Sequence, residues 1–119
     1  MRSGVAEDCI FCKIISKQIP AEFIFEDKYL VAFNDIHPQA PTHFLIVPKK
    51  HTETLLKLDE SMDLTLGKMF RVAAQLAKEK GVAESGFRTV FNCNKDAGQV
   101  IFHIHLHVLG GRPLKGGMG

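Results

Sequence analysis

The sequence predicts an α+β domain: an antiparallel sheet of about five strands, covered by one long and one short helix. Three observations carry this expectation. Short runs of β-branched and aromatic residues follow one another with brief connections, which favours antiparallel neighbours. A single long stretch shows 3.6-residue apolar periodicity. The chain then closes on His103-Ile104-His105-Leu106-His107-Val108-Leu109-Gly110-Gly111, where imidazoles and apolar side chains alternate. With 119 residues there is room for one domain and a modest core.

The elements follow in order. Residues 1–8 are polar and expected to fray. A short helix is expected from Cys9 through Ile15, with Phe11, Ile14 and Ile15 on one side, and Pro20 stops it by Ile19. Strands over 23–26 and 29–34 meet in a tight hairpin at Asp27-Lys28. Residues 35–41 form a loop stiffened by Pro38 and Pro41. The next strand, 42–47, puts His43 on the face of Leu45 and Val47, and Pro48 ends it. Residues 51–58 are weakly helical at best. Asp59 or Ser61 can cap the long helix, which ends near Lys80. Its core stripe is Met62, Leu66, Met69, Phe70, Ala73, Leu76 and Ala77. Gly81 suits the position after the helix, and Lys78 and Lys80 suit its negative end. A strand over 87–92, a polar turn over 94–98 and the histidine strand over 103–111 complete the sheet. Residues 112–119 are a glycine-rich tail, read as flexible.

Composition narrows the function classes. A net charge of +2 gives no whole-protein case for nucleic-acid binding. Neither a signal-peptide run nor a membrane span is visible, so a soluble cytoplasmic protein is expected, with no membrane partner. Three cysteines, two of them as Cys9-x₂-Cys12, suit a reducing compartment and a metal half-site better than a disulfide framework.

Chemistry concentrates in the last strand. As an extended segment it would line His103, His105 and His107 on one face, with Ile104, Leu106 and Val108 on the other. Three imidazoles so placed suit a metal site, or catalysis by a histidine nucleophile or base beside an anionic substrate. A polar surface arising by chance is the bland alternative. Gly98-Gln99 sits in a turn whose backbone amides could cradle a phosphate. Asn92 and Asp35 stand where strands meet loops, and His43 would by default be a satisfied core histidine.

Several of these motifs together resemble one family. The run from His103 to Leu109 matches the His-x-His-x-His-x-x pattern of the histidine triad (HIT) family. Asp35-Ile36, Pro38-Gln39-Ala40-Pro41-Thr42-His43-Phe44, Gly98-Gln99 and Leu109-Gly110-Gly111-Arg112 resemble its Hint branch, in the right order from about Ile10 to Arg112. The resemblance implies a homodimer in which two protomers join into one continuous sheet. It also implies hydrolysis of the P–N bond in adenosine or guanosine phosphoramidates, releasing AMP or GMP and needing no cofactor for catalysis. By position His105 would be the nucleophile, supported by His103 and His43, and His107 would contact the α-phosphate. Asn92 and Asp35 would face the sugar, while Ile10, Phe11, Ile14, Phe33 and Ile36 would form the base pocket. Asn34, Gly98, Gln99 and Val100 would complete the nucleotide site. Val100 stands where several relatives carry serine, so it can donate no hydroxyl to the leaving group. Some bacterial members carry a cysteine pair, and Cys9 and Cys12 with His43 and His103 would form a Cys₂His₂ set for structural zinc. For a histidine nucleophile, the other ring nitrogen should donate to a backbone carbonyl and lock the tautomer. The alternatives are a non-catalytic purine-nucleotide-binding or scaffolding dimer, and a hydrolase using a metal held by the three histidines.

Overall fold

The computed structural model describes residues 8–116; the expected frayed start, apart from Asp8, and the last three residues of the tail lie outside them. Helix α1 (Ile10–Ile15) is followed by β1 (Phe23–Glu26), β2 (Leu30–Asn34) and β3 (Thr42–Pro48). Helix α2 (Asp63–Glu79), β4 (Phe87–Val90) and β5 (Leu106–Gly110) complete the order. The five strands form one antiparallel sheet in the order β1-β2-β3-β5-β4. The expected α+β architecture is therefore the one observed.

Strand parity divides the core in two. Leu30 and Ala32 of β2, Phe44 and Ile46 of β3, and Leu106 and Val108 of β5 pack under Met69, Val72, Ala73 and Leu76 of α2. The intervening Val31, Phe33, Leu45 and Val47 face the other way, onto Cys9, Phe11, Cys12 and Ile14 around α1. Both faces of the central strands are thus apolar, which is why β3 reads as an unbroken hydrophobic run. On the central strands β2, β3 and β5, the polar positions left on the α1 face are His43 and His107.

Helix α2 enters through a 3₁₀ turn, Glu60–Met62, capped by the Asp59 carboxylate, which accepts from Ser61 N–H at 2.8 Å. It leaves through Gly81 at φ +76°, where Gly81 N–H donates to Lys78 O and Val82 N–H to Ala77 O. That pair of bonds is a Schellman close and requires a left-handed residue. Along the stripe, Phe70 is 48% exposed and Val72 takes the buried position instead, because 72 lies with 69, 73 and 76 on the inner arc.

Four of the five strands differ from expectation at a boundary. Asp27 Oδ1 accepts from both Tyr29 and Leu30 N–H, so the hairpin keeps Tyr29 and β2 starts at Leu30. Pro48 closes β3 inside the ladder, opposite Leu30, whereas β4 stops at Val90. The histidine strand begins only at Leu106. Before it, Ile104 N–H donates to Thr52 O, and the His103 carbonyl is taken by the side chain of His105, so the backbone leaves the sheet.

Candidate active site

Although only part of the histidine run is strand, its imidazoles still form a row on the α1 face. The rings of His105 and His107 are 4.9 Å apart and those of His107 and His43 5.2 Å. Phe11 sets its edge against His105 at 5.1 Å and against His103 at 5.9 Å. At the far end His51 meets His103 at 5.0 Å.

Hydrogen-bond partners fix the protons along the row. His105 Nδ1 lies 2.8 Å from the His103 carbonyl, which can only accept, so Nδ1 carries the hydrogen and Nε2 is left with a bare lone pair. Gln39 N–H donates to His43 Nδ1 at 3.0 Å, so His43 holds its hydrogen on Nε2. That nitrogen is 3.0 Å from His107 Nδ1, which therefore accepts and leaves His107 Nε2–H as a donor. Asp35 Oδ2 is 3.5 Å from His43 Nε2, while Asp35 Oδ1 accepts from His37 N–H. Burial pushes the imidazoles of His43 and His105 below the ordinary histidine range, opposed by the Asp35 carboxylate. Burial and the neighbouring rings take His107 down to about 4. All three are neutral at pH 7, as a nucleophile and its hydrogen-bonding neighbours need to be.

A second cluster lies at the His103 end. Cys9 Sγ is 3.3 Å and Cys12 Sγ 3.6 Å from His103 Nδ1; Cys12 Sγ is 3.4 Å from His51 Nδ1, and the two ring nitrogens are 3.2 Å apart. His103 is fully buried, and its Nε2 donates to Pro48 O at 2.7 Å, which turns the bare Nδ1 toward the sulfurs. The expected Cys₂His₂ partner His43 is not here; His51 takes its place. The ladder explains why. β3 and β5 are antiparallel with His43 opposite Leu109 and Ile46 opposite Leu106, so moving back to His103 carries the chain past Pro48 toward residue 51. His43 stays at the other end of β3, beside His107.

The remaining expected site residues divide. Phe11, Ile14 and Phe33 are buried together behind the row, with the Phe11 and Phe33 rings edge-to-face at 5.7 Å. Ile10 is partly exposed at the start of α1, while Ile36 stands 86% exposed. Asn34 points away: it shares the parity of Leu30 and Ala32, and its Oδ1 accepts from Lys80 Nζ at the end of α2. Asn92 lies half-buried just beyond β4, Gly98 holds φ +87° at the end of a 3₁₀ turn, and Val100 is 84% exposed. Gln99 is a brace rather than a spare phosphate donor. Its Oε1 accepts from Asn94 N–H, and its two amide hydrogens go to Glu53 O and Ile101 O.

A family model described as the HIT domain matches residues 16–114. The purine nucleoside phosphoramidase of Escherichia coli K12 is 46% identical over 110 residues, covering 92% of each chain. Protein HitA of Neisseria gonorrhoeae is 42% identical, covering 87% of this chain and 96% of its own. Among solved structures, a HIT family hydrolase from Legionella pneumophila superposes with a TM-score of 0.91 at 47% identity, covering 94% of this chain and all of that one. A HIT family hydrolase from Clostridium thermocellum gives 0.92 at 38% identity, covering 96% and 99%. The domain match, the relatives and the histidine row agree: the chain belongs to the histidine triad family.

Proposed function

We propose that the protein is a purine nucleoside phosphoramidase, which hydrolyses the P–N bond of adenosine or guanosine 5′-phosphoramidates and releases the nucleoside monophosphate. The observation that carries this reading is the bare Nε2 of His105, held by the His103 carbonyl in a partly exposed position on the row. His105 Nε2 attacks phosphorus as the P–N bond breaks, and the leaving amine takes a proton from solvent. Water then cleaves the nucleotidyl-histidine and restores the imidazole. His107 Nε2–H and nearby turn amides offset charge on the phosphoryl oxygens. Phe11, Ile14 and Phe33 form an apolar wall for the base. The name carried by the E. coli relative supports the same reaction.

The cysteine cluster is proposed to hold structural zinc. Its four donor atoms lie within 4.8 Å of one another, two soft sulfurs and two imidazoles suit a tetrahedral site, and the Pro48 carbonyl on His103 is the outer contact such a ligand needs. Zinc would tie α1 to the end of β3 and to the segment before β5. The chain is further proposed to work as a cytoplasmic homodimer. The outer edge of β4 and the half-exposed Phe70, whose ring meets Phe91 at 6.0 Å, offer a second copy a strand edge and an apolar contact. No helix among the described residues is long and apolar enough to cross a membrane.

The test is steady-state hydrolysis of adenosine 5′-phosphoramidate by the wild type and by His105→Ala, with AMP binding measured in both. Release of AMP by the wild type, and binding without turnover in the variant, is the expected result. Binding without turnover in both would replace the enzyme by a nucleotide-binding module.

A further inference from the structure

Arg112 stands at the start of the tail, outside the histidine row, and the mechanism above gives it no task. Its Nη2 donates to the carbonyl of Gln39 at 2.8 Å, and its Nη1 to Pro113 O at 2.9 Å. Gln39 is the residue whose N–H donates to His43 Nδ1. The contact is not an isolated surface pair. Gly110 pairs with Thr42 in the ladder, and Gly111 holds φ +96° with little room for a side chain: a Cβ there would lie 3.0 Å from Pro41 Cβ. The strand end is therefore packed onto the loop that carries Gln39, and Arg112 fastens that loop at Gln39 itself.

We infer that Arg112 is a positioning residue: by holding the Gln39 carbonyl it keeps the Gln39 N–H on His43 Nδ1, which confines the His43 hydrogen to Nε2, facing His107. Each link has a geometric reason. An N–H directed at Nδ1 is compatible only with a lone pair there, so a neutral ring must carry its hydrogen on the opposite nitrogen. His107 Nδ1 then accepts, and His107 Nε2–H is free for the phosphoryl group. If residue 39 turns away, His43 can take either tautomer, and in one of them two lone pairs would face each other across the His43–His107 contact. Arg112 touches neither substrate nor reacting atoms and acts only through this chain of contacts.

The kinetic half of the test rests on the phosphoramidase reading; the spectroscopic half does not. The variants are Arg112→Met, which keeps the stem and removes every donor, and Arg112→Lys, which can still donate to one carbonyl. Imidazole nitrogen-15 spectra of the full chain report which His43 nitrogen is protonated, and kcat and KM are measured on adenosine 5′-phosphoramidate. The wild type and Arg112→Lys should show one tautomer, Nε2–H. Arg112→Met should show exchange between both, with kcat lowered roughly three- to tenfold, the worth of one hydrogen bond, and KM within about twofold. A single Nε2–H tautomer in Arg112→Met, or an unchanged kcat, overturns the inference. An Arg112→Lys variant as impaired as Arg112→Met also overturns it, because the loss would then not follow the donor. If the wild type itself turns over no phosphoramidate, the function proposed above falls and the tautomer alone decides this inference.

Discussion

The two ends of the histidine row use similar residues for opposite purposes. Cys9, Cys12, His51 and His103 bring their donor atoms together at one end, and Asp35, His43 and His107 do so at the other. At the first, the Pro48 carbonyl takes the His103 Nε2 hydrogen, so a lone pair converges with the sulfurs and His51. At the second, the Gln39 N–H occupies His43 Nδ1, so a hydrogen rather than a lone pair sits between His43 and His107. One end gathers lone pairs and thiols, and the other places a hydrogen between two rings. What a histidine cluster does is decided by the backbone group at each ring's outer nitrogen. His105 stands between them, and its own backbone partner is the carbonyl of His103.

That contrast can be broken at several points. The largest effect belongs to the residue between the clusters: His105→Ala should lower kcat on the order of 10⁴-fold or more, as removal of a covalent nucleophile does, while AMP still binds. Next comes a paired comparison. His51→Gln should reduce zinc from one per chain to a small fraction, by elemental analysis of the purified protein, and lower the thermal midpoint. His43→Gln should keep its zinc and lose about 10- to 100-fold in kcat, the scale of losing a residue that orients another site residue. Zinc lost from His43→Gln and retained in His51→Gln would invert the assignment.

A smaller effect is expected from pH. An unfolded-chain histidine titrates near 6.5, whereas burial holds His107 at about 4 in the folded protein. Between these values the unfolded state binds more protons, so stability is full above about pH 6.5 and declines as pH falls toward 4. Denaturant titrations at a series of pH values should show this slope, and His107→Gln should make it shallower. An unaltered slope in that variant would remove His107 from the acid response.

Much of this was legible in the sequence. β1 was bounded by its own residues and α2 at its end by Gly81, signals that act within a few positions; the Asp59 cap expected for α2 sits instead on the 3₁₀ turn that precedes it. The tautomer lock that a histidine nucleophile would need was expected from chemistry, and His105 has it on the nearest upstream carbonyl but one. His51 was missed because it lies beyond β3 in a segment without periodicity; only the β3–β5 register, a tertiary property, separates it from His43 as the partner of His103. Strand parity from the paired Leu30 and Ala32 could have turned Asn34 away from the site. Gln99's commitment to Glu53 had no signal in the sequence, because a long-range backbone acceptor leaves no pattern in residue order.

The most direct single measurement is acid-free rapid quenching of the protein with adenosine 5′-phosphoramidate, followed by intact-mass analysis and mapping of the modified peptide. One adenylyl group on His105, formed before AMP is released, is the predicted result. Turnover with no protein-bound nucleotide, or with the nucleotide on another residue, would contradict a nucleophile built from the bare Nε2 of His105.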